Sequence, residues 1–197
     1  MRISVKTVAF LVLAAGLCAL ASRPVVAQSR SFVDAGVAYN YVRSNAPVGG
    51  CGCFSLNGGS VWVGFNLTRS VGIVGEIASQ HASGIDSTGA DLTLRSFLAG
   101  PRYTWTRARH FAPFVQMLLG GAHAGGTLAP GGSVLSGSAN AFAMTLGGGL
   151  DIGLTRHIGV RAFQADYYLT HFDNGTNDHQ NNLRIAAGVI FRFGGIR

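Results

Sequence analysis

Apolar and polar residues alternate along most of the chain after about residue 30. Between residues 59 and 68, every second position from Val61 to Leu67 is apolar, and the positions between them are mostly small or polar. The same period of two recurs in three further segments, 71–79, 139–153 and 181–193. Successive side chains of a β-strand point to opposite faces, so this period predicts strands. No segment has a convincing helical period, and the predicted fold class is therefore all-β.

The alternating segments number eight, and we expect them to be antiparallel strands. They lie at about 32–43, 59–68, 70–80, 91–105, 110–123, 139–153, 157–170 and 181–193. Long and short connections alternate between them. The long connections, near 44–58, 81–90, 124–138 and 171–180, are rich in Gly, Ser, Asn and Asp, which is typical of loops in water. The short connections share a Thr–Arg pair, at Thr68–Arg69, Thr106–Arg107 and Thr155–Arg156, and are predicted to be hairpin turns.

The strand face opposite the apolar one distinguishes a barrel in water from a barrel in a membrane. A soluble barrel would carry many Lys and Glu residues there, whereas this chain has only 12% charged residues, and Lys6 is its last lysine. Small residues on one face and apolar residues on the other suit a polar interior surrounded by lipid. Aromatic residues near strand ends, Phe114 and Tyr168 among them, are interpreted as girdles at the membrane interfaces. The alternative is a soluble periplasmic barrel that binds an apolar ligand.

These observations predict an eight-stranded antiparallel transmembrane β-barrel with short periplasmic turns and four longer extracellular loops. The predicted strands of ten to fifteen residues exceed the ~9–11 residues that a tilted strand needs to cross a bilayer. Because the strand number is even, both termini lie on the side of the short turns.

The first 27 residues have the pattern of a secretory signal peptide. Arg2 and Lys6 precede an apolar stretch from Val8 to Ala21, and small residues precede Gln28. The predicted organisation is therefore a cleaved signal at 1–27 and a barrel domain at 28–197. Removing the signal leaves twelve basic residues, all Arg, against eight acidic ones, so that the net charge falls from +7 to +4. The arginines are scattered rather than clustered on one face, and we expect no nucleic-acid partner.

Three short motifs carry a family resemblance. They are Phe97–Leu98–Ala99–Gly100–Pro101–Arg102–Tyr103, Ala112–Pro113–Phe114–Val115 and Gly188–Val189–Ile190–Phe191–Arg192–Phe193. With the eight-strand layout, they resemble the small outer-membrane β-barrel family of OmpA, OmpX and opacity-type proteins. The resemblance implies the outer membrane of a Gram-negative-type bacterium, contact with its lipid, insertion by the barrel-assembly machinery and an extracellular ligand at the loops. Family members commonly end on a Phe, whereas this chain continues from Phe193 to Arg197.

Polar residues on the inward face form the best-supported candidate site. By strand parity the inward set is Glu76, Gln116, Asp151, Arg184 and Arg192, joined by Arg102 if Phe97 and Tyr103 face lipid. The direction of Arg161 is open, because it cannot share a face with Gln164 and Asp166 unless a bulge intervenes. Buried charges need partners, so we expect Arg102, Arg184 and Arg192 to pair with Glu76 and Asp151. Such pairing would close the lumen, since side chains just fill an eight-stranded barrel.

The first long loop contains the sequence Cys51–Gly52–Cys53. An oxidising compartment favours a disulfide between the two cysteines, although one intervening residue makes a strained ring. Pairing with another chain and weak metal capture remain open as alternatives. Two thiols alone are too few for a structural zinc site.

Neither catalysis nor a cofactor is predicted. His81 and Ser83 have a spacing that a lipid A deacylase or acyltransferase could use, but no carboxylate that could orient the histidine is apparent nearby. The loop from Asp173 to Asp178 lacks the ligand spacing of an EF-hand and is interpreted as a solvated turn. We expect a non-enzymatic outer-membrane barrel with a structural or surface-interaction role and a filled lumen. The alternative is a small porin-like channel for solutes.

Overall fold

The computed structural model describes residues 32–44, 54–85, 90–105, 110–128, 134–172 and 179–193. Three sequence predictions fall outside these residues: the signal peptide at 1–27, the Cys51–Cys53 disulfide and the solvated turn at 173–178. They stay predictions. The described part of the chain contains no helix that is long and apolar enough to cross a membrane.

Eight antiparallel strands close into one barrel, as predicted. They are β1 (Phe32–Ser44), β2 (Phe54–Asn66), β3 (Val71–Ile85), β4 (Ala90–Thr104), β5 (Phe111–Leu128), β6 (Val134–Gly153), β7 (Ile158–Thr170) and β8 (Gln180–Phe193). Each strand pairs with the next one in the chain, and β1 also pairs with β8. Closure leaves no free sheet edge, so every strand has a backbone partner on both sides.

The two faces of each strand differ in the way that the alternation predicts. On β2, Phe65 is 52% exposed on the outer surface, whereas Trp62 is 2% exposed in the lumen. On β4, Phe97 and Tyr103 point outward and Arg102 points inward. The outer surface is thus a belt of apolar side chains with a polar interior behind it, which is the arrangement that a bilayer requires.

The strands extend farther at the loop end than the sequence predicted. β3 continues to Ile85, β5 continues to Leu128 and β6 begins at Val134. Four residues therefore separate β3 from β4 and five separate β5 from β6, whereas nine separate β1 from β2 and nine separate β7 from β8. The predicted ends were wrong because Gly- and Ser-rich segments were interpreted as loops. Above the apolar belt the outer face no longer alternates, yet backbone pairing continues.

Apolar and polar side chains are interspersed along the whole lumen. The buried apolar cluster extends from Val42, Leu94 and Phe172 to Val74 and Ile190 near the turns. Polar Gln80 and Asn182 are buried toward the loop end. The interpretation of Phe114 and Tyr168 as interfacial girdle residues was wrong, because both are buried inside the barrel, at 2% and 0% exposure.

Candidate functional site

Arg184 links strands on opposite sides of the lumen. It projects from β8, and its guanidinium contacts Glu76 of β3 and Asp166 of β7. The Arg184 Nη1 group donates to the Glu76 carboxylate, and the Nη2 and Nε groups lie 2.7 and 2.9 Å from Asp166 Oδ2. All three side chains are almost fully buried. Because β3 and β8 are not neighbours in the barrel, this contact spans the interior.

A β-bulge in β7 brings Arg161 into the same interior. The pairing register shifts between Arg161 and Gln164 on the β8 side, and between Leu150 and Asp151 on the β6 side. Ala162 and Phe163 are both exposed, so the strand gains one residue on its outer face. A bulge of this kind changes the phase of a strand. Arg161, Gln164 and Asp166 consequently all point inward.

Arg161 binds Asp151 through two hydrogen bonds. The Nε and Nη2 groups donate to the two carboxylate oxygens over 2.8 and 3.1 Å. Nη1 donates to Gln164 Oε1 over 2.7 Å, and Gln164 Nε2 donates in turn to Asp166 Oδ2 over 2.7 Å. Six side chains thus form one continuous network, in the order Asp151, Arg161, Gln164, Asp166, Arg184 and Glu76. Charged donors and acceptors make these hydrogen bonds stronger than neutral ones.

Arg102 and Arg161 pack against the same two aromatic rings. The guanidinium carbon of Arg102 lies 4.5 Å from the Trp62 ring centroid and 4.8 Å from that of Phe114, and the corresponding distances for Arg161 are 4.5 and 4.4 Å. Arg102 also donates through Nε and Nη2 to Gln116 Oε1, over 3.0 and 2.8 Å. Desolvated cation–π contacts of this geometry attract the cations to the ring faces. Four large side chains and one amide therefore lie together at this level of the lumen.

The last arginine of the lumen lies near the turns. Arg192 of β8 stands opposite Asp34 of β1 in the pairing register, and Asn66 Nδ2 donates to Asp34 Oδ2 over 3.0 Å. The Arg192 guanidinium lies beside Gly153 and Gly159, where added Cβ atoms would approach it to 2.9 and 3.4 Å. The inward ionisable residues of the described chain are balanced in charge: four arginines (Arg102, Arg161, Arg184, Arg192) and four acids (Asp34, Glu76, Asp151, Asp166).

The predicted site residues all lie on the inner face, but their pairing differs in part from the hypothesis. Arg184 contacts Glu76, as proposed. Asp151 binds Arg161 instead of one of the three predicted arginines, and Arg102 binds the amide of Gln116. Residues absent from the predicted network include Asp34, Trp62, Phe114, Gln164 and Asp166. The spacing of three between Arg161 and Gln164, matched by Val160 and Phe163, is the sequence signal that marks the bulge.

The structure places the other candidate chemistry on the outer wall. The His81 Nδ1 atom lies 3.0 Å from the hydroxyl oxygen of Thr93 on the neighbouring strand. Among the residues that the structure describes, no group of three or more His, Cys, Asp or Glu side chains could hold a metal ion.

Comparisons with known proteins agree with this architecture. A family model described as outer membrane protein beta-barrel domain matches residues 9–191. The attachment invasion locus protein Ail of Yersinia pestis, solved with the heparin analogue sucrose octasulfate, has 16% identity and a TM-score of 0.57 over 84% of this chain and 100% of its own. Neisserial surface protein A has 16% identity and a TM-score of 0.59 over 84% of this chain and 98% of its own. No curated protein sequence matches the chain.

Proposed function

This chain belongs to the family of outer membrane protein β-barrel domains and resides in the outer membrane of a Gram-negative-type bacterium; from that premise we propose that it is a closed, non-enzymatic barrel with a structural or surface-interaction role. The barrel holds its loop end rigidly at the cell surface, and solutes do not pass through its lumen.

The network from Asp151 to Glu76 is the observation that supports closure most strongly. Its side chains are held by direct contacts between protein groups, and its arginines and acids are almost fully buried. A buried charge without a partner is costly, so a solute that passed through would have to break these contacts. Next to the network, the Arg102 guanidinium packs against the rings of Trp62 and Phe114.

Buried apolar side chains beside the network support the same proposal. Val42 and Leu56 are at most 1% exposed, and they belong to one interior cluster with Leu94 and Phe172. An ion gains no hydrogen bond from an apolar side chain. These side chains therefore add to the barrier that the polar network presents to a solute.

The alternative is a narrow channel for small solutes, and one observation favours it. Gln80 and Thr145 lie in the lumen, and both polar side-chain atoms of Gln80 and the hydroxyl of Thr145 have no hydrogen-bond partner among the described residues. Buried polar groups of this kind usually bind ordered water. Water at this level would make the interior hydrated without making it open.

Liposome swelling separates the two functions. Proteoliposomes that contain the folded barrel are expected to shrink and stay shrunken in a hypertonic pentose solution, and to keep their volume in an isotonic one, because the sugar cannot enter. Liposomes with a general porin serve as the positive control, and heat-modifiable gel migration shows that the barrel has folded. Swelling at a rate that depends on solute size would favour the channel.

Three partners belong to the same proposal. Membrane lipid contacts the apolar belt, and the barrel-assembly machinery recognises the end of β8, where Phe193 is exposed on the outer surface. The third partner is an extracellular ligand at the loop end. Ail, which shares this fold, was solved with the heparin analogue sucrose octasulfate, and this supports a ligand-binding role for this chain.

A further inference from the structure

Charged residues are divided unequally between the two ends of the barrel. The strands are connected at the turn end by 67–70, 105–110 and 154–157, and at the loop end by 45–53, 86–89, 129–133 and 171–179. In sequence, the connections at the turn end contain four arginines and no acidic residue. Those at the loop end contain three aspartates and no arginine. The turn end is therefore the basic end of the molecule.

Two of the turns share a sequence pattern and a set of hydrogen bonds. They are Leu67–Thr68–Arg69 and Leu154–Thr155–Arg156. In each turn the threonine Oγ1 accepts hydrogen bonds from the backbone N–H groups two and three residues later, over 3.2 and 2.9 Å at Thr68 and over 3.2 and 3.0 Å at Thr155. A hydroxyl that binds the backbone in this way stabilises a tight turn. The arginine after each threonine is thus held at the tip of an ordered turn.

The leucine of each turn locates the edge of the bilayer core. Leu67 and Leu154 continue the outward alternation of β2 and β6. They are 66% and 61% exposed, the largest values among the large apolar side chains that the structure describes. Such side chains on the outer wall are stable in lipid but not in water. The arginines two residues farther along the chain therefore lie where the lipid headgroups begin.

An aromatic pair marks the same boundary at the neighbouring turn. The Trp105 ring is exposed and packs edge to face against the Tyr103 ring, with the centroids 4.9 Å apart. The backbone N–H of Thr104 donates to the carbonyl oxygen of Ser70 over 2.7 Å, so Trp105 lies beside the turn that carries Arg69. Exposed aromatic side chains of outer-membrane barrels form girdles at the membrane interfaces. Trp105 thus places Arg69 at headgroup depth independently of the leucines.

Both turn arginines are available to a ligand. Arg69 and Arg156 are exposed, and neither makes a hydrogen bond or an ion pair within the part of the chain that the structure describes. Asp34 and Asp151, the acids nearest to the turns along their strands, are in the lumen and are hydrogen-bonded there. The guanidinium groups therefore present unused donors at the membrane surface.

We propose that Arg69 and Arg156 bind the phosphate groups of anionic phospholipids in the inner leaflet, of the phosphatidylglycerol type. The short turns lie on the periplasmic side, so the inner leaflet supplies the lipid. A guanidinium donates two parallel hydrogen bonds to a phosphate, and the exposed leucine beside each arginine contacts the acyl chains of the same molecule. The proposal concerns the periplasmic rim and does not depend on whether the lumen is closed.

Charge and apolar surface together favour this occupant over two others. A zwitterionic phospholipid offers the same phosphate, but its cationic group is repelled by an end of the barrel whose connections carry arginines and no acid. An acidic soluble protein would match the charge but not the exposed Leu67 and Leu154. An anionic phospholipid matches both features at one depth.

Quenching of Trp105 fluorescence by brominated phospholipids tests the proposal. The folded barrel is reconstituted into vesicles of equal amounts of phosphatidylglycerol and phosphatidylcholine, in which one lipid or the other is brominated on its acyl chains. Trp62, the second of the two tryptophans, is buried in the lumen, and a Trp105→Phe variant measures its background. We expect phosphatidylglycerol to be enriched about fivefold beside Trp105, because one arginine near an anionic surface contributes about that factor.

Three variants identify the groups that select the lipid. Arg69→Gln/Arg156→Gln is expected to lower the enrichment to about half or less of the wild-type value. Arg69→Lys/Arg156→Lys keeps the charges and should retain most of the enrichment, which a merely structural role of the arginines would not predict. The matched control, Arg43→Gln/Arg95→Gln, removes two exposed arginines toward the loop end of β1 and β4 and should behave as wild type does.

Three results would overturn the proposal. The first is equal quenching of wild type by the two brominated lipids, which would leave the basic end to a partner other than phospholipid. The second is an unchanged enrichment in the glutamine variant of the turns. The third is an equal loss in the loop-end control, which would indicate attraction by net charge alone. Heat-modifiable migration of each variant establishes that a loss of enrichment is not a loss of fold.

Discussion

Replacing Arg184 with methionine is expected to lower the free energy of unfolding by about 3–5 kcal/mol, because it leaves the buried carboxylates of Glu76 and Asp166 without their shared cation. The pair as a whole need not be net stabilising, since burying both charges is itself costly. The loss arises from leaving two acids unpaired. Denaturant unfolding in detergent micelles, followed by tryptophan fluorescence, measures it.

Two further variants identify the cause. The triple variant Glu76→Gln/Asp166→Asn/Arg184→Met removes the charges together and should recover most of the stability, because no charge remains unpaired. Arg95→Met makes the same substitution at an exposed arginine on the outer wall, and it should change the free energy of unfolding by less than about 0.5 kcal/mol. If the triple variant were less stable than Arg184→Met, the role given to the unpaired acids would be wrong.

A Gly120→Ala substitution is expected to cost about 3 kcal/mol or to prevent folding. Gly120 of β5 faces the lumen opposite Leu98 of β4, and a Cβ atom there would come within 2.0 Å of the carbonyl oxygen of Phe97. Because that oxygen belongs to the backbone of a paired strand, it cannot move aside as a side chain can. Overpacking of this kind forces the backbone apart.

Gly75→Ala is the matched control for this prediction. Gly75 lies on the outer face of β3, and a Cβ atom there would meet nothing within 4 Å. Alanine in such a place should leave stability unchanged or raise it by up to about 1 kcal/mol, because it restricts the unfolded chain. The fraction of each variant that shows heat-modifiable gel migration, together with its denaturation midpoint, measures both effects. Equal behaviour of the two variants would contradict the close approach at Gly120.

The sequence pattern was sufficient for the barrel wall, because one physical constraint acts on every strand. The outer face must be apolar wherever lipid touches it. The apolar character of Val61, Phe65 and Phe97 is therefore enough to predict from the sequence that these side chains point outward. The same constraint is absent beyond the lipid. There the segments around Gly125 and Ser138 pair as strands without any alternation that would reveal them.

Partner identity in the lumen could not be predicted in the same way. Strand parity places Arg102 and Asp151 inside, but which residues meet depends on the register of strands that are distant in sequence. A single extra residue in β7 reverses the inward–outward alternation between Arg161 and Gln164. Arg161, the arginine that Asp151 binds, consequently points into the lumen. Arg102 instead donates to Gln116 on the neighbouring strand. Charge pairing alone does not predict this contact with a neutral amide.

Ionic conductance of the purified wild-type barrel in a planar lipid bilayer tests the closed lumen most directly. The matched variant, Asp151→Ser/Arg161→Ser, removes both members of one ion pair, so that no charge is left unpaired while the network loses two of its six side chains. We expect no steady conductance from wild type and more frequent openings from the variant. A steady, reproducible conductance from folded wild-type protein would contradict the account.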